Sequence, residues 1–236
     1  NDNSLLSLTD YVHDAPDIDW SDVMPTIRND VLTFDREIYM LPQDGDVIVM
    51  IYRKDLLDLH QLQKPETWED FLAISKYFRK NVGASAWVDS PNRTLAQEGG
   101  YGACMMTKTG DWASANLFAY LATWLQAHGP QQGIFFNNTS MEPIFSTATV
   151  REALLLYKEI VEHSSYVETG GEGAGLNEMV QDMKDGKCMM GMNYLGPMKA
   201  IVGGEFNKAD DTIAIAEVPG STRVKALRGS HAVACT

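Results

Sequence analysis

The sequence predicts an α/β fold, and three observations support this prediction. Short apolar or β-branched runs alternate along the chain with longer segments of helical periodicity, which is typical of sheets packed against helices. The 236 residues are 44% hydrophobic, enough to bury a core in one or two domains. Charged residues make up 22%, and their alternation with apolar residues is not that of a disordered chain.

The first elements alternate between helix and strand. Residues 19–31 are predicted to be helical, with Trp20, Val23 and Ile27 on one face, and Pro25 is tolerated only near the start. Proline 42 lacks an N–H and ends the apolar run before it. Residues 47–52 are apolar and rich in β-branched side chains, which predicts a strand buried on both faces.

A second helix is predicted over residues 67–80. Thr67 can cap its first turn, and Asp70 favours the positive end of the helix dipole. The predicted core face consists of Trp68, Phe71, Leu72, Ser75 and Phe78.

The middle of the chain repeats the alternation. A strand over residues 101–107 precedes a helix over 111–128, which Gly129-Pro130 ends. A hairpin is expected over 133–144. A capping box formed by Thr149 and Glu152 then predicts a helix start. The core-facing positions of that helix are Val150, Ala153, Leu154, Tyr157 and Val161.

The last third contains short elements. A glycine-rich loop at 170–175 precedes a predicted helix at Leu176–Lys184, and an apolar strand is expected over 188–192. Residues 193–197 are predicted to turn out of that strand into another short helix. Strands are also expected over 213–218, before Pro219-Gly220, and over 231–236.

The net charge of the chain limits which partners it is expected to bind. Acidic residues outnumber basic ones by 32 to 19, for a net charge of −13. A nucleic-acid backbone and an anionic membrane surface would both be repelled, so neither is predicted as a partner. No segment approaches the roughly 20 apolar residues that a membrane-spanning helix needs.

Neither a metal nor a cofactor is predicted. The three cysteines, Cys104, Cys188 and Cys235, form no C-x-x-C motif and no cluster with histidine. Each lies in a strand-like run and reads as a small buried side chain. A disulfide in an oxidising compartment is the alternative, and the sequence does not assign the pair. Asn92, Asn137 and Asn138 begin glycosylation sequons, a pointer to secretion.

Catalysis is an alternative with little support. The five histidines are scattered, and no G-x-S-x-G elbow or phosphate-binding loop occurs in a suitable context. The carboxylates of Asp44 and Asp46 could together perform acid–base chemistry on a glycoside. A carbohydrate-active enzyme is therefore kept as one hypothesis.

The stretch 33–70 carries a specific order of motifs. Tyr39 and Pro42 are followed by a polar loop with Asp46, by IYRKDL at 51–56, and by P-x-T-W-E from Pro65. This order resembles the family 1 extracellular solute-binding proteins, the sugar-type receptors of ABC importers. Arg53 stands where the family usually has asparagine.

The second half extends the resemblance. MKDGKCMM at 183–190, EVPG at 217–220 and GSHAVA at 229–234 match further family motifs, so the likeness runs from residue 8 to residue 236. It implies a type II periplasmic-binding-protein-like fold, mainly lobe two with part of lobe one. Residues 1–46 would be a remnant of lobe one, 47–230 lobe two with hinge strands, and 231–236 the second crossing strand. The resemblance also implies a fragment, without the N-terminal part of lobe one and the C-terminal tail.

Sugars present hydroxyl groups, which pair with carboxylates and amides, and C–H faces, which pack on aromatic rings. The resemblance therefore implies a ligand site, and each residue in it could instead have an ordinary capping or packing role. The family commonly places a ligand-contacting aspartate at Asp46 and an aromatic side chain near Tyr194. The full predicted set is Asp44, Asp46, Trp112, Glu172, Asn193, Tyr194, Ser230 and His231.

The resemblance implies extracytoplasmic binding of a small polar solute, a sugar or oligosaccharide. Hinge closure would hold the solute for delivery to a membrane permease. An alternative is the ligand-sensing extracellular region of a membrane receptor, which the sequons and cysteines favour. The enzyme described above is the second alternative.

Overall fold

The computed structural model describes residues 5–43, 47–81, 100–110, 113–125, 135–137, 139–145, 148–168, 171–202 and 212–220. The chain divides into two compact units. The first unit is Asn1–Asp46 with Cys235–Thr236, and the second is Val47–Ala234.

The first unit is built from short elements around a small apolar cluster. Helix α1 spans Thr9–Asp14, a 3₁₀ turn spans Trp20–Asp22, and helix α2 spans Pro25–Asp30. Strands β1 (Thr33–Phe34) and β2 (Glu37–Ile38) form an antiparallel hairpin. The buried side chains are Val12, Ile27, Leu32 and Ile38.

The single helix predicted over residues 19–31 is wrong. Pro25 is the first residue of α2, and Met24 before it is extended, with ψ of 129°. Proline lacks the N–H that a continuing helix needs, and it disfavours helical geometry in the preceding residue. The segment therefore forms two short pieces.

The second unit has a three-stranded antiparallel sheet of order β4–β3–β5. Strand β3 (Ile48–Arg53) is central, between β4 (Met190–Tyr194) and β5 (Ile213–Ala216). The strand predicted over residues 47–52, buried on both faces, is confirmed within one residue. The strand predicted over 101–107 is instead a buried segment that extends the sheet beside β4 through isolated parallel bridges.

The helices of the second unit are α3 (Lys54–Leu59), α4 (Trp68–Asn81), α5 (Ala113–Leu125), α6 (Ala148–Glu162), α7 (Ser165–Glu168), α8 (Leu176–Lys184) and α9 (Leu195–Val202). Helix α4 starts as predicted. The Asp70 N–H donates to Thr67 Oγ1 at 3.1 Å, and the Thr67 N–H donates to Asp70 Oδ2 at 3.0 Å. This reciprocal capping box satisfies two helix-end donors.

Two predicted boundaries and one predicted core position are wrong. Helix α6 already includes Ala148, so Thr149 lies inside it and is not its cap. Val161 was predicted to face the core, but the fully buried residue near the end of that helix is Ile160. Strand β5 ends at Ala216, two residues before the predicted end.

Side-chain hydrogen bonds join three helices inside the core. The Trp68 indole N–H donates to Thr123 Oγ1 at 2.8 Å, linking α4 to α5. The Tyr120 hydroxyl donates to the Ala153 carbonyl at 2.7 Å, linking α5 to α6. Burial raises the pKa of Tyr120 far above its usual value, so the hydroxyl stays a donor.

Cys104 and Cys188 form a disulfide across 84 residues of sequence, with Cα atoms 5.8 Å apart. Both residues are fully buried. The interpretation of these two residues as plain buried side chains is therefore wrong, and the alternative of a disulfide holds. Cys235 lies outside the described residues.

Within the described ranges, no helix combines the length and apolar character needed to cross a bilayer.

Candidate functional site

Backbone segments of the second unit come together at the edge of the sheet where β4 ends and β3 begins. Tyr194, the last residue of β4, is paired with Ile48, the first residue of β3. The Leu195 N–H donates to the Val47 carbonyl at 2.9 Å, so α9 starts directly from this edge. We call this end of the sheet, which contains the last residues of β4 and the first of β3, the β4 edge.

The segment before α5 reaches the same edge. Tyr101 is bridged to Cys188 and Cys104 to Gly191, both in parallel, so this segment runs in the direction of β4. Continuing the same register places Met106 beside Asn193. Thr107 and Lys108 therefore leave the sheet at the β4 edge.

The glycine-rich loop closes the outer side of the edge. The Ala174 carbonyl accepts from the N–H groups of Thr107, at 2.9 Å, and Lys108, at 3.2 Å. Gly173 has φ of +78°, and a Cβ there would lie 2.6 Å from Thr107 Oγ1. Only glycine combines this backbone angle with so close an approach. With strands about 4.8 Å apart, Ala174 lies about 10 Å from Asn193 across Met106.

An ion pair joins the segment before α5 to the helix that follows the glycine-rich loop. The Lys108 Nζ lies 3.0 Å from Glu178 Oε1 in the first turn of α8. The hydrogen bond from Lys108 holds the pKa of the Glu178 carboxyl below its usual value. Both side chains are about half exposed, so solvent screens the pair and it adds little stability. It does place one positive and one negative group at the β4 edge.

Asn193 and Tyr194 end β4, where residues 193–197 were predicted to turn away from the strand. The prediction of a turn at these two positions is wrong, because pairing with Val49 and Ile48 extends the strand. Asn193 is fully buried, and its Nδ2 contacts Met179 Sδ at 3.3 Å. Its Oδ1 accepts from the Tyr194 N–H at 2.7 Å. Tyr194 is 6% exposed.

Three of the eight predicted ligand residues fall in the described part of the chain. Glu172 is exposed on the glycine-rich loop, two residues before Ala174. Asn193 and Tyr194 end β4, and the segment that contains Met106 lies between β4 and the glycine-rich loop. The other five lie outside the described residues: Asp44, Asp46, Trp112, Ser230 and His231.

The sequence reasoning missed Asn116 as a candidate. Asn116 lies in the first turns of α5 and has no exposed surface. Neither its Oδ1 nor its Nδ2 has a hydrogen-bond partner among the described residues. The available signal was one amide side chain within the otherwise apolar run ASANLFAYLATWL.

The described residues contain no group of three or more histidine, cysteine, aspartate or glutamate side chains that could hold a metal ion. A small cavity of about 50 Å³ lies where Gly220 pairs with Thr67, lined by residues 64–66 and 217–220. Small-molecule sites usually enclose several hundred Å³. This cavity is therefore too small to hold a sugar.

Comparisons with known proteins show what the chain is similar to. The family model described as bacterial extracellular solute-binding protein matches residues 5–229. No curated protein matches the chain.

Solved structures share its fold. A solute-binding protein of an ABC transporter from Agrobacterium vitis S4, with bound D-mannitol, is 22% identical, with a TM-score of 0.64; the match covers 92% of this chain and 46% of that chain. One from Agrobacterium radiobacter K84, in complex with ribitol, is 18% identical, with a TM-score of 0.71, covering 93% and 49%. The maltose-bound T. maritima MalE3 is 15% identical, with a TM-score of 0.66, covering 96% and 50%.

At these identities the likeness shows the fold alone, and it confirms the predicted periplasmic-binding-protein-like class. The chain spans about half the length of the solved structures it matches.

Proposed function

The chain belongs to the bacterial extracellular solute-binding proteins, and from that membership we propose that it binds a sugar or polyol for delivery to an ABC importer. The observation that carries the proposal is the family match over residues 5–229. The family consists of binding proteins rather than enzymes, and its members act outside the cytoplasm. The disulfide fits an oxidising compartment of that kind.

The ligand class is inferred from two sources. Structural neighbours carry D-mannitol, ribitol or maltose, all rich in hydroxyl groups. The β4 edge offers matching chemistry, since Glu172 is an exposed carboxylate on the glycine-rich loop and Lys108 and Glu178 form a half-exposed ion pair. Charged side chains of both signs can donate to and accept from hydroxyl groups.

We assign the solute to the β4 edge, with Glu172 and Tyr194 as proposed contacts. Tyr194 would pack its ring on a C–H face of the solute, although only 6% of it is exposed in the present state. Asp44, Asp46, Trp112, Ser230 and His231 remain proposed contacts from the family resemblance. In the whole protein, closure of two lobes around the solute would then favour engagement of a membrane permease.

A thermal-shift measurement on the full-length protein tests this function. Maltose, D-mannitol and ribitol are the probes, and glutamate and spermidine serve as controls from other ligand classes. A ligand at 100 times its Kd adds about 2.7 kcal/mol of stability, which raises the Tm by several degrees. A shift with at least one polyhydroxylated probe supports the proposal. A shift with only spermidine or glutamate, or with none of the five compounds, would refute it.

Neither the receptor nor the enzyme hypothesis gains support from a specific observation. The importer function is therefore the one proposed.

A further inference from the structure

Asn116 has two buried polar atoms without a hydrogen-bond partner among the described residues, whereas Ser165 and Trp124 of the same unit have one each. Ser75 donates to the His163 carbonyl at 2.9 Å, and Ser164 donates to the Val161 carbonyl at 2.7 Å. The other buried asparagine, Asn193, uses both its amide atoms. Asn116 instead leaves two polar atoms unpaired within the described part of the chain. Such a group destabilises the folded state, and natural proteins tolerate it mainly where it has another use.

The position of Asn116 relates it to the β4 edge. Lys108 leaves the sheet at that edge, and α5 begins only five residues later, at Ala113. Five residues span at most roughly 18 Å, so the start of α5 lies within that distance of Lys108. Helix side chains lean toward the N-terminal end of their helix. Asn116 is the fourth residue of α5, so it lies close to the end of the helix that follows the edge in the chain.

The chemistry of the amide matches a polyhydroxylated molecule. A carboxamide offers one oxygen that accepts and one NH₂ group that donates. Two neighbouring hydroxyl groups of a sugar or polyol can occupy both, because each hydroxyl donates and accepts. A single solute could thus satisfy the two atoms that the chain leaves unpaired.

We propose that Asn116 is a solute-binding residue whose amide forms paired hydrogen bonds with adjacent hydroxyl groups of the ligand. The inference rests on the proposed function, since it assumes that a sugar or polyol is bound. It places the solute at the N-terminal end of α5. The unpaired amide would then cost stability in the free protein and contribute affinity in the complex.

The test compares stability and affinity in Asn116→Leu. The probe is whichever of maltose, D-mannitol and ribitol stabilises the wild type, and Kd is measured by titration calorimetry. Leucine removes both unpaired atoms, so Tm without the probe should rise by about 2–4 °C. The loss of two hydrogen bonds should weaken Kd by about 10- to 100-fold. Asn116→Ala provides the same comparison if leucine is too large to fit.

Thr123→Val is the matched control on the same helix. Thr123 Oγ1 accepts from Trp68 and donates to the Tyr120 carbonyl at 2.7 Å, so its hydroxyl is fully used inside the protein. This variant should lower Tm and leave Kd within about twofold of the wild type. A substitution that only damages the packing of α5 should therefore lower Tm and leave Kd unchanged. Asn116→Leu should instead raise Tm and weaken Kd.

The possible results distinguish a wrong role for Asn116 from a wrong proposed function. If the wild type binds a probe and both Asn116 variants bind it with unchanged Kd, the inference is wrong and the function stands. If Thr123→Val weakens Kd as much as Asn116→Leu does, affinity follows general stability and the inference is again overturned. If the wild type binds no probe, both are refuted.

Discussion

Removal of the Cys104–Cys188 disulfide should lower the free energy of unfolding by about 4–5 kcal/mol. The bond closes a loop across 84 residues. In the chain-entropy model a loop of that length loses about 15 cal/mol/K in the unfolded state, or about 4.6 kcal/mol at 25 °C. Strain and residual structure in the unfolded chain reduce such values, so this figure is an upper estimate.

The variant for this measurement is the double substitution Cys104→Ala with Cys188→Ala. A single substitution would leave a buried thiol that can form other disulfides. Both residues are fully buried, so alanine also leaves a small cavity, which adds to the loss. The Tm should fall by roughly 10–15 °C.

Urea unfolding of the wild type and the double variant, each with and without a reductant, measures this effect. Reductant should lower the midpoint of the wild type and leave the variant unchanged, so the variant is its own control. A wild type and a variant that differ by less than about 1 kcal/mol would contradict the reasoning. So would a reductant effect on the variant as large as that on the wild type.

Three further predictions concern single positions. Thr67→Ala should cost about 1 kcal/mol in urea unfolding, because the Asp70 N–H loses its cap; an unchanged midpoint would contradict the observed capping box. Gly102→Ala should cost about 3 kcal/mol or more, because its Cβ would lie 2.0 Å from the backbone oxygen of Ser75; a stable variant would refute that contact. Glu37 accepts hydrogen bonds from two hydroxyl groups, which lower its pKa from the usual 4.5. Its stabilisation is present above pH 4.5 and is lost as the pH falls through the folded pKa, so Glu37→Gln should flatten the stability profile below pH 4.5, and an unaltered profile would contradict this.

The sequence predicted correctly the helices and strands that are determined by residues close together in the chain. The capping box and the apolar face of α4 are both contained in Thr67 to Phe78, and all five predicted core residues of that helix are buried. The helix at Leu176–Lys184 was predicted at its observed bounds, since a glycine-rich loop precedes it and Gly186 follows it. The central strand β3 was evident from its β-branched composition.

The errors arise where distant residues decide the local structure. Asn193 and Tyr194 have the composition of a turn, but pairing with Val49 and Ile48 keeps them in β4. The partner of Cys104 lies 84 residues away, and no local pattern selects Cys188 over Cys235. Tertiary pairing overrides propensity in both cases.

For the candidate site, the sequence indicated which residue types suit a ligand, but it did not indicate the hydrogen bonds that each residue makes in the fold. A carboxylate at 172 and an aromatic ring at 194 were predicted as ligand chemistry; the first is exposed on the glycine-rich loop and the second ends β4. The sequence could not show that the Asn193 amide is used internally while that of Asn116 is unpaired. Hydrogen-bond satisfaction depends on three-dimensional neighbours, so two asparagines look alike in sequence and differ in the fold.

The β4 edge is held by backbone hydrogen bonds and by one disulfide. Backbone hydrogen bonds join Ala174 to Thr107 and Lys108, and Leu195 to Val47, and the Cys104–Cys188 bond fastens the segment that leads to the edge. Substitution of an exposed side chain such as that of Glu172 removes none of these bonds. Exposed side chains at this proposed site can therefore be substituted without loss of the fold.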